Sequence, residues 1–438
     1  MRSLLTLMLA LATVSVHAAD RYVRQGASGN GSGTDWTNAY PTLPATLVRG
    51  DTYWIADGSY GSYTFRTPLS GSSLITIRKA TSGAHGTSTG WNNSYGDGQA
   101  AFGDFLFDYG YYVFDGATRN EANWADTASY GFRVSGSLYS SRLASGSNAC
   151  ADNLTFRYVD VGGSAGTGPS SAGVGAYLGG FGEGSLACEN WTLQRNHIHN
   201  VKVHVHCPGC TGLLVEHTYF GIGWGKEAIR GLVAAYNITI RHNIFKDSCQ
   251  RDPGDSTSGC TGEIAIWSGT NHNNIEIYGN VFYKTTSEVN SGGVIVIGGN
   301  GTSWTGPPTN NTKVYNNTIA GLKNWHADIL INGGSNNQCR NNIWYDVAGS
   351  LTGCSANSTS NNVVLSGTPF VNYAAGDFRL AAPTAQGMTL VSPYNVDRLG
   401  TTRGADGTWD LGATEYAAGG GGGPLPAPTN LRVVSSAP

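Results

Sequence analysis

Lys226, Glu227 and Arg230 stand beside Trp224 in the stretch GWGKEAIRG, within a chain of which only 13% of residues are charged. A lysine whose pKa is pulled down by a cationic neighbour and partial desolvation can act as a base, and lysine shifts far more readily than arginine. An arginine beside it can neutralise a carboxylate as an enolate develops. Removing a proton from a carbon next to a carboxylate needs those two roles. His204 and His206 lie in the segment before, Glu263 and Trp267 in the segment after, and Asp328 with Asn332 further on. The expected assignment is Lys226 as base and Arg230 as neutraliser, assisted by His204 or Glu263. Trp224, Glu227, His206, Trp267 and Asp328 would contact the substrate. Two of Glu227, Glu263 and Asp328 could instead form the carboxyl pair of a glycoside hydrolase. Trp224, Trp267, Trp304 and Trp325 fall near these segments and, clustered and exposed on one surface, would suit stacking on sugar rings.

Residues so far apart can meet only if the chain stacks them, and the sequence carries a repeat that would. NLTFRYVDV from Asn153, NWTLQRNHI from Asn190, GLLVEHTYF from Gly212, NITIRHNIF from Asn237, NIEIYGNVF from Asn274, NTKVYNNTI from Asn311 and NNQCRNNIW from Asn336 align in register, with a weaker copy, ANSTSNNVV, from Ala356. The starts are 37, 22, 25, 37, 37, 25 and 20 residues apart. A basic unit of that size with insertions predicts a solenoid. The second and fourth positions are usually apolar, as Ile238 with Ile240 and Ile275 with Ile277, which is strand alternation with one face inward. Three residues later comes Asn196, Asn243, Asn280, Asn317, Asn342 or Asn362, with Thr218 once. Stacked coils would bring these amides together as an asparagine ladder. A second short strand accompanies each copy: GAYLGG, VKVHVH, EAIRGL, EIAIWSG, GVIVIGG and DILINGG. Its outward positions are expected to carry the candidate residues named above. His197 and His199, in NHIHN, read as structural, and Arg241 and Lys246 as a solvated face.

The short strands, the 20-odd-residue period and the recurring asparagines resemble the secreted right-handed parallel β-helix repeat family, the pectate-lyase-like superfamily, over about residues 150–380. The resemblance implies an all-β, right-handed parallel β-helix. It implies an exported enzyme that degrades polysaccharide, first of all a lyase cleaving a uronic-acid glycan by β-elimination. A hydrolase on the same scaffold and a non-catalytic carbohydrate-binding or cell-surface protein are the alternatives. Ca²⁺, at Glu227 or Glu263, is an option as cofactor. The chain lacks the paired aspartates of polygalacturonase-like hydrolases, the vWiDH and RxPxxR motifs of pectate lyases and the YGFDPHD motif of mannuronan epimerases. EAIRGLVAAYNITIRHNIF resembles the segment ExISxKSxxNxIRxNxF of the chondroitinase-B and alginate-lyase type, but Leu232 occupies the position of its lysine and Arg230 lies two residues earlier.

The rest of the sequence bounds this reading. MRSLLTLMLALATVSVHAAD has the pattern of a signal peptide over residues 1–19, so a secreted, periplasmic or cell-surface location is expected. The β-helix with its capping segments would span 20–416, with GDFRL and WDLGATEY resembling the closing tail of such helices. Residues 417–438 read as a Gly/Pro-rich linker and the start of a truncated module. Eight cysteines predict disulfides: Cys249 with Cys260, Cys339 with Cys354, Cys207 with Cys210, and Cys150 with Cys188. A net charge of −3 without a basic run argues against nucleic acid, no later segment is long and apolar enough to span a membrane, and a monomer is expected.

Overall fold

The computed structural model describes residues 18–140, 151–163, 174–177, 188–250, 260–267, 271–286, 292–298, 308–323, 327–347 and 353–417. Cys150, Trp304, Trp325 and the segments proposed as signal peptide and linker lie outside them, apart from Ala18, Ala19 and Ala417.

Parallel strands wind into a three-faced β-helix. One face starts at Asp20–Val23, which pairs with Thr52–Ile55, and continues through Leu154–Arg157, Thr192–Gln194 and His272–Tyr278 to Ser358–Ser360. These are the repeat strands of the sequence. A second face carries the accompanying strands, Val203–Thr211, the beginning of Ile229–Arg241, Ile264–Ile266, Ile295–Ile297 and Ile329–Ile331. The third is an eleven-stranded parallel sheet from Gly58–Ser59 to Val363–Leu365. Repeat isoleucines such as Ile240, Ile275 and Ile277 are fully or almost fully buried. The third face turns Phe220, Phe245 and Phe282 inward, stacked at centroid distances of 4.5 and 4.6 Å.

The turn from first to third face is the same two residues in seven coils, Arg195–Asn196 through Asn361–Asn362. The first residue takes positive φ, as in His242 (58°), Gly279 (64°), Asn316 (52°) and Asn341 (58°). The second is Asn, or Thr218 once, and its amide joins successive coils. Asn243 Nδ2 donates to Asn280 Oδ1, Asn280 to Asn317 and Asn317 to Asn342, each at 3.0 Å, and Asn342 to Asn362 at 2.9 Å. The asparagine that opens each copy has a different task. Asn153, Asn190, Asn237, Asn274, Asn311 and Asn336 all sit at φ of 53–59°, a left-handed bend that asparagine tolerates better than most residues.

Charges on the outside of the first face are paired between coils. Asp115 meets Arg157 at 3.1 Å, and Glu216 pairs with Arg241. Disulfides join Cys207 to Cys210, Cys249 to Cys260 and Cys339 to Cys354. Cys188 is also disulfide-bonded. Among the described residues no helix is long and apolar enough to cross a membrane.

The closing tail does more than cap an end. After the antiparallel pair Phe370–Asn372 and Asp377–Leu380, the chain runs back along the side of the solenoid. Met388 hydrogen-bonds Asn341, the Tyr394 hydroxyl donates to Glu276, and Arg398 reaches the ring of Trp124.

Candidate functional site

The expected second-face constellation is only partly assembled. Tyr177, His206, Arg230, Ala265, Val296 and Leu330 stack in one register column. Arg230 lies 3.6 Å from Glu227 and its guanidinium carbon 5.9 Å from the centre of the Trp267 ring. Glu227 is buried and accepts a hydrogen bond from the amide of Thr261. Burial, with Arg230 adding to it, pushes the His206 imidazole down to about 4. Lys226 and Trp224 are half-buried near this cluster.

Besides Glu227, three residues expected to point outward do not. His204 is fully buried, its Nε2 is 2.8 Å from the Gly221 carbonyl, and burial pushes it down to about 3. Glu263 is also buried, paired with Lys284 at 3.1 Å and hydrogen-bonded by Ser248. Asp328 is buried as well and accepts from the amide of Gly353. In register, His204, Ala228, Glu263, Val294 and Asp328 form one column immediately before the inward Val205, Ile229, Ile264, Ile295 and Ile329. All five are buried, because the coil bends at the strand edge and in–out alternation fails there.

The third face gathers more chemistry. Its outward positions form two columns. One holds Asp160, His197, Tyr219 and Ile244; the other holds Gly162, His199, Gly221, Lys246 and Tyr283. Tyr219, Ile244, Lys246 and Tyr283 floor a cleft of about 630 Å³. Its walls are the 121–125 loop and the tail residues Asp377, Arg379, Arg398 and Leu399.

The electrostatics of this cleft are uneven. Glu121 is held by Arg119 at 2.9 Å and by Arg195, and Asp377 by Arg379 at 2.6 Å. The Arg379 hydrogen bond, with burial opposing it, holds Asp377 below the usual carboxylate range. Arg398 is 92% buried by its 8% exposure, makes no ion pair among the described residues, and its Nε has no hydrogen-bond partner. Burial pushes its pKa down to about 10, which leaves it cationic at neutral pH. Its guanidinium carbon is 5.2 Å from the centre of the Trp124 ring. Lys246 has no ion pair among the described residues either; its Nζ lies 5.7 Å from the Tyr283 ring centre. Two cations without a direct ion pair among the described residues, Arg398 being influenced by Asp397 and Asp377 at longer range, lie between three aromatic rings and make a receptor for an anion that also offers apolar faces.

No family model matches the chain, and no curated protein does. Among solved structures it is similar to the Streptococcus pneumoniae surface protein and adhesin PfbA (12% identity, 72% of this chain and 90% of that chain, TM-score 0.32). It is also similar to the Azotobacter vinelandii mannuronan C-5 epimerase AlgE6 A-module (12%, 72% and 91%, TM-score 0.26). A third is the PL6 family polysaccharide lyase Pedsa3628 from Pseudopedobacter saltans (12%, 80% and 94%, TM-score 0.28).

Next to the cleft, Asp160, His197 and His199 cluster with potential ligand atoms all within 4.8 Å of one another. Burial works against ionisation of the Asp160 carboxyl, but His199, hydrogen-bonded to it, and His197, with Nδ1 2.9 Å away, hold it below its ordinary value. Burial in turn lowers the pKa of His197, opposed by the nearby Asp160 carboxylate. By residue type these histidines are expected to be structural and Lys246 solvated. The signal was present nonetheless: Asp160 and His197 both occupy the eighth position of their repeat copies, and Gly162, His199, Gly221, Lys246 and Tyr283 the tenth. Trp124 and Arg398 carried no such mark, because they reach the cleft from outside the repeats.

Proposed function

We propose that the third-face cleft binds a carboxylated polysaccharide and that the chain cleaves it by β-elimination, as an exported lyase. The observation that carries the reading is Arg398, a buried guanidinium that makes no direct ion pair among the described residues, with Asp397 and Asp377 acting on it only from a distance, and that opens on the cleft between Trp124 and the aromatic floor. A uronate carboxylate would supply a direct ion-pair partner, and its ring face would lie on Tyr219, Tyr283 or Trp124. Arginine keeps its charge and therefore serves as neutraliser. Lys246, on the same floor, is positioned as the base that takes the α proton. This assignment replaces Lys226 and Arg230, whose neighbours Glu227 and Trp267 already occupy the arginine.

Hydrolysis fits less well. It needs one carboxyl held protonated, whereas Glu121 is committed to ion pairs with Arg119 and Arg195 and the Arg379 hydrogen bond holds Asp377 below the usual carboxylate range. Glu263 is committed to Lys284 inside the solenoid. The disulfides are compatible with an extracellular setting.

The test is to incubate the purified chain with polygalacturonate, alginate and chondroitin sulfate while following the ultraviolet absorbance of an unsaturated uronate. Lys246→Ala should abolish turnover and Arg398→Gln should raise KM, with Lys226→Ala and Arg230→Ala near wild type. Loss of turnover in the latter pair alone would move the site to the second face. New reducing ends without the absorbance would establish hydrolysis, and retained glycan binding without any product would leave a binding protein.

A further inference from the structure

Beyond the cleft, the third face holds a group of side chains with no evident structural necessity. His197 and His199 project from one side of a single strand, and Asp160 is the register partner of His197 on the coil before. His197 Nδ1 lies 2.9 Å and His199 Nε2 3.1 Å from the same oxygen, Asp160 Oδ1. The other oxygen, Oδ2, is buried without a hydrogen-bond partner, in a residue only 1% exposed. Burying a carboxylate oxygen with no donor is costly. The next residue in the column, Arg133, does not relieve it, being exposed and forming no ion pair with Asp160 among the described residues.

The surroundings keep the imidazoles accessible to a small occupant. A Cβ on Gly162 would come within 2.9 Å of His199 Cε1 and Nε2, and one on Gly221 within 3.0 Å of His197 Nε2 and His199 Cβ. Glycine thus flanks His199 on both neighbouring strands. Tyr130 stacks over His197 at 6.0 Å, and Tyr219 meets its edge at 5.2 Å. The His199 side chain, by contrast, is 16% exposed, leaving one side of the group open to solvent.

We propose that Asp160, His197 and His199 bind a first-row divalent cation of the Zn²⁺ class, with its remaining coordination position open to water or substrate. Two imidazoles and one carboxylate from adjacent strands are a donor set for such an ion. Ca²⁺, which takes six to eight oxygens, is not matched by it. A cation would supply a partner to the orphaned carboxylate oxygen and draw both imidazole nitrogens onto one centre. Because Tyr219 touches the His197 ring and also floors the cleft, the ion would sit at one end of the glycan channel. The inference does not depend on the lyase reading, since it concerns binding of the metal alone.

The experiment uses the full chain, stripped with EDTA and dialysed, and titrated calorimetrically with Zn²⁺ and, separately, Ca²⁺. One equivalent of Zn²⁺ should bind, raising Tm, and Co²⁺ should give the visible absorption of a low-symmetry site. His199→Ala should lose at least tenfold in affinity while keeping the wild-type apo Tm, and His197→Asn should behave likewise in affinity. His206→Ala, on the second face, should bind as wild type. Absence of stoichiometric Zn²⁺ binding, or affinity unchanged in His199→Ala, overturns the proposal, as does a preference for Ca²⁺.

Discussion

Replacing Asn280 by alanine tests the internal amide column where it is deepest. The side chain is fully buried, its Nδ2 donates to the Ile240 carbonyl at 2.9 Å and to Asn317 Oδ1 at 3.0 Å, and its Oδ1 accepts from both the amide and the Nδ2 of Asn243. Truncation strips a donor from Ile240 and an acceptor from each of two Asn243 nitrogens. Asn317 Oδ1 keeps the Asn280 amide, at 3.0 Å. Three groups therefore lose partners in a dry interior, at about 1–3 kcal/mol each, so a loss of about 3–6 kcal/mol is expected after partial relaxation. Equilibrium urea unfolding, with the m-value checked for two-state behaviour, reads it directly. Asn362→Ala, half-buried at the end of the column, should cost less than half as much because water can reach its former partners. The exposed Asn274→Ala removes a bond to Asn237 and places alanine at φ 57°, for about 1–2 kcal/mol. A loss below about 1 kcal/mol at Asn280, or equal losses at all three positions, would refute the reasoning.

Two further predictions concern charge inside the solenoid. Lys284→Met should destabilise by about 3–5 kcal/mol by stranding Glu263, and Lys284→Met with Glu263→Leu should recover most of it; a double variant as unstable as the single one would contradict this. Stability should also fall in mild acid. His204, His206 and His272 are pushed down to about 3, 4 and 4, and His217 and His242 well below their usual value, in every case first by burial. Their folded pKa values lie below the unfolded value, so the unfolded chain takes up protons first as pH drops below about 6.5, at about 1.4 kcal/mol per pH unit for each group fully in its window. Asp152 and Glu415, raised by burial to about 6 and about 7, act in the opposite sense but are fewer. The urea midpoint should accordingly be lower at pH 5 than at pH 7, and an equal or higher midpoint would count against it.

What the sequence disclosed follows from what a repeat can encode. Ile238 and Ile240, or Ile275 and Ile277, show alternation because each faces the same neighbour in every coil, so the parallel β-helix is readable from the copies alone. His204 and Glu263 were misplaced because alternation was carried one residue past the straight part of the strand, into a bend whose column packs inward. Lys246 was legible by position and passed over by type, since an isolated lysine on a strand is usually solvated. Arg398 and Trp124 were not legible at all: their proximity is created by a tail that retraces the solenoid, and no local pattern records where a tail lies down.

The two-residue turn between the first and third faces has a consequence of its own. Among the repeat copies from Asn190 to Ala356 the spacing varies from 20 to 37 residues, yet in these seven coils that corner stays at two residues and insertions fall on the other two corners, whereas the earlier coils place long insertions, 80–99 and 116–131, at this one. In these seven coils the third face is thus a datum edge held at a constant offset from the first. Reacting groups mounted along the datum edge would keep their mutual spacing through any history of loop exchange. New specificities could therefore be grafted onto the loops of this solenoid without realigning its chemistry.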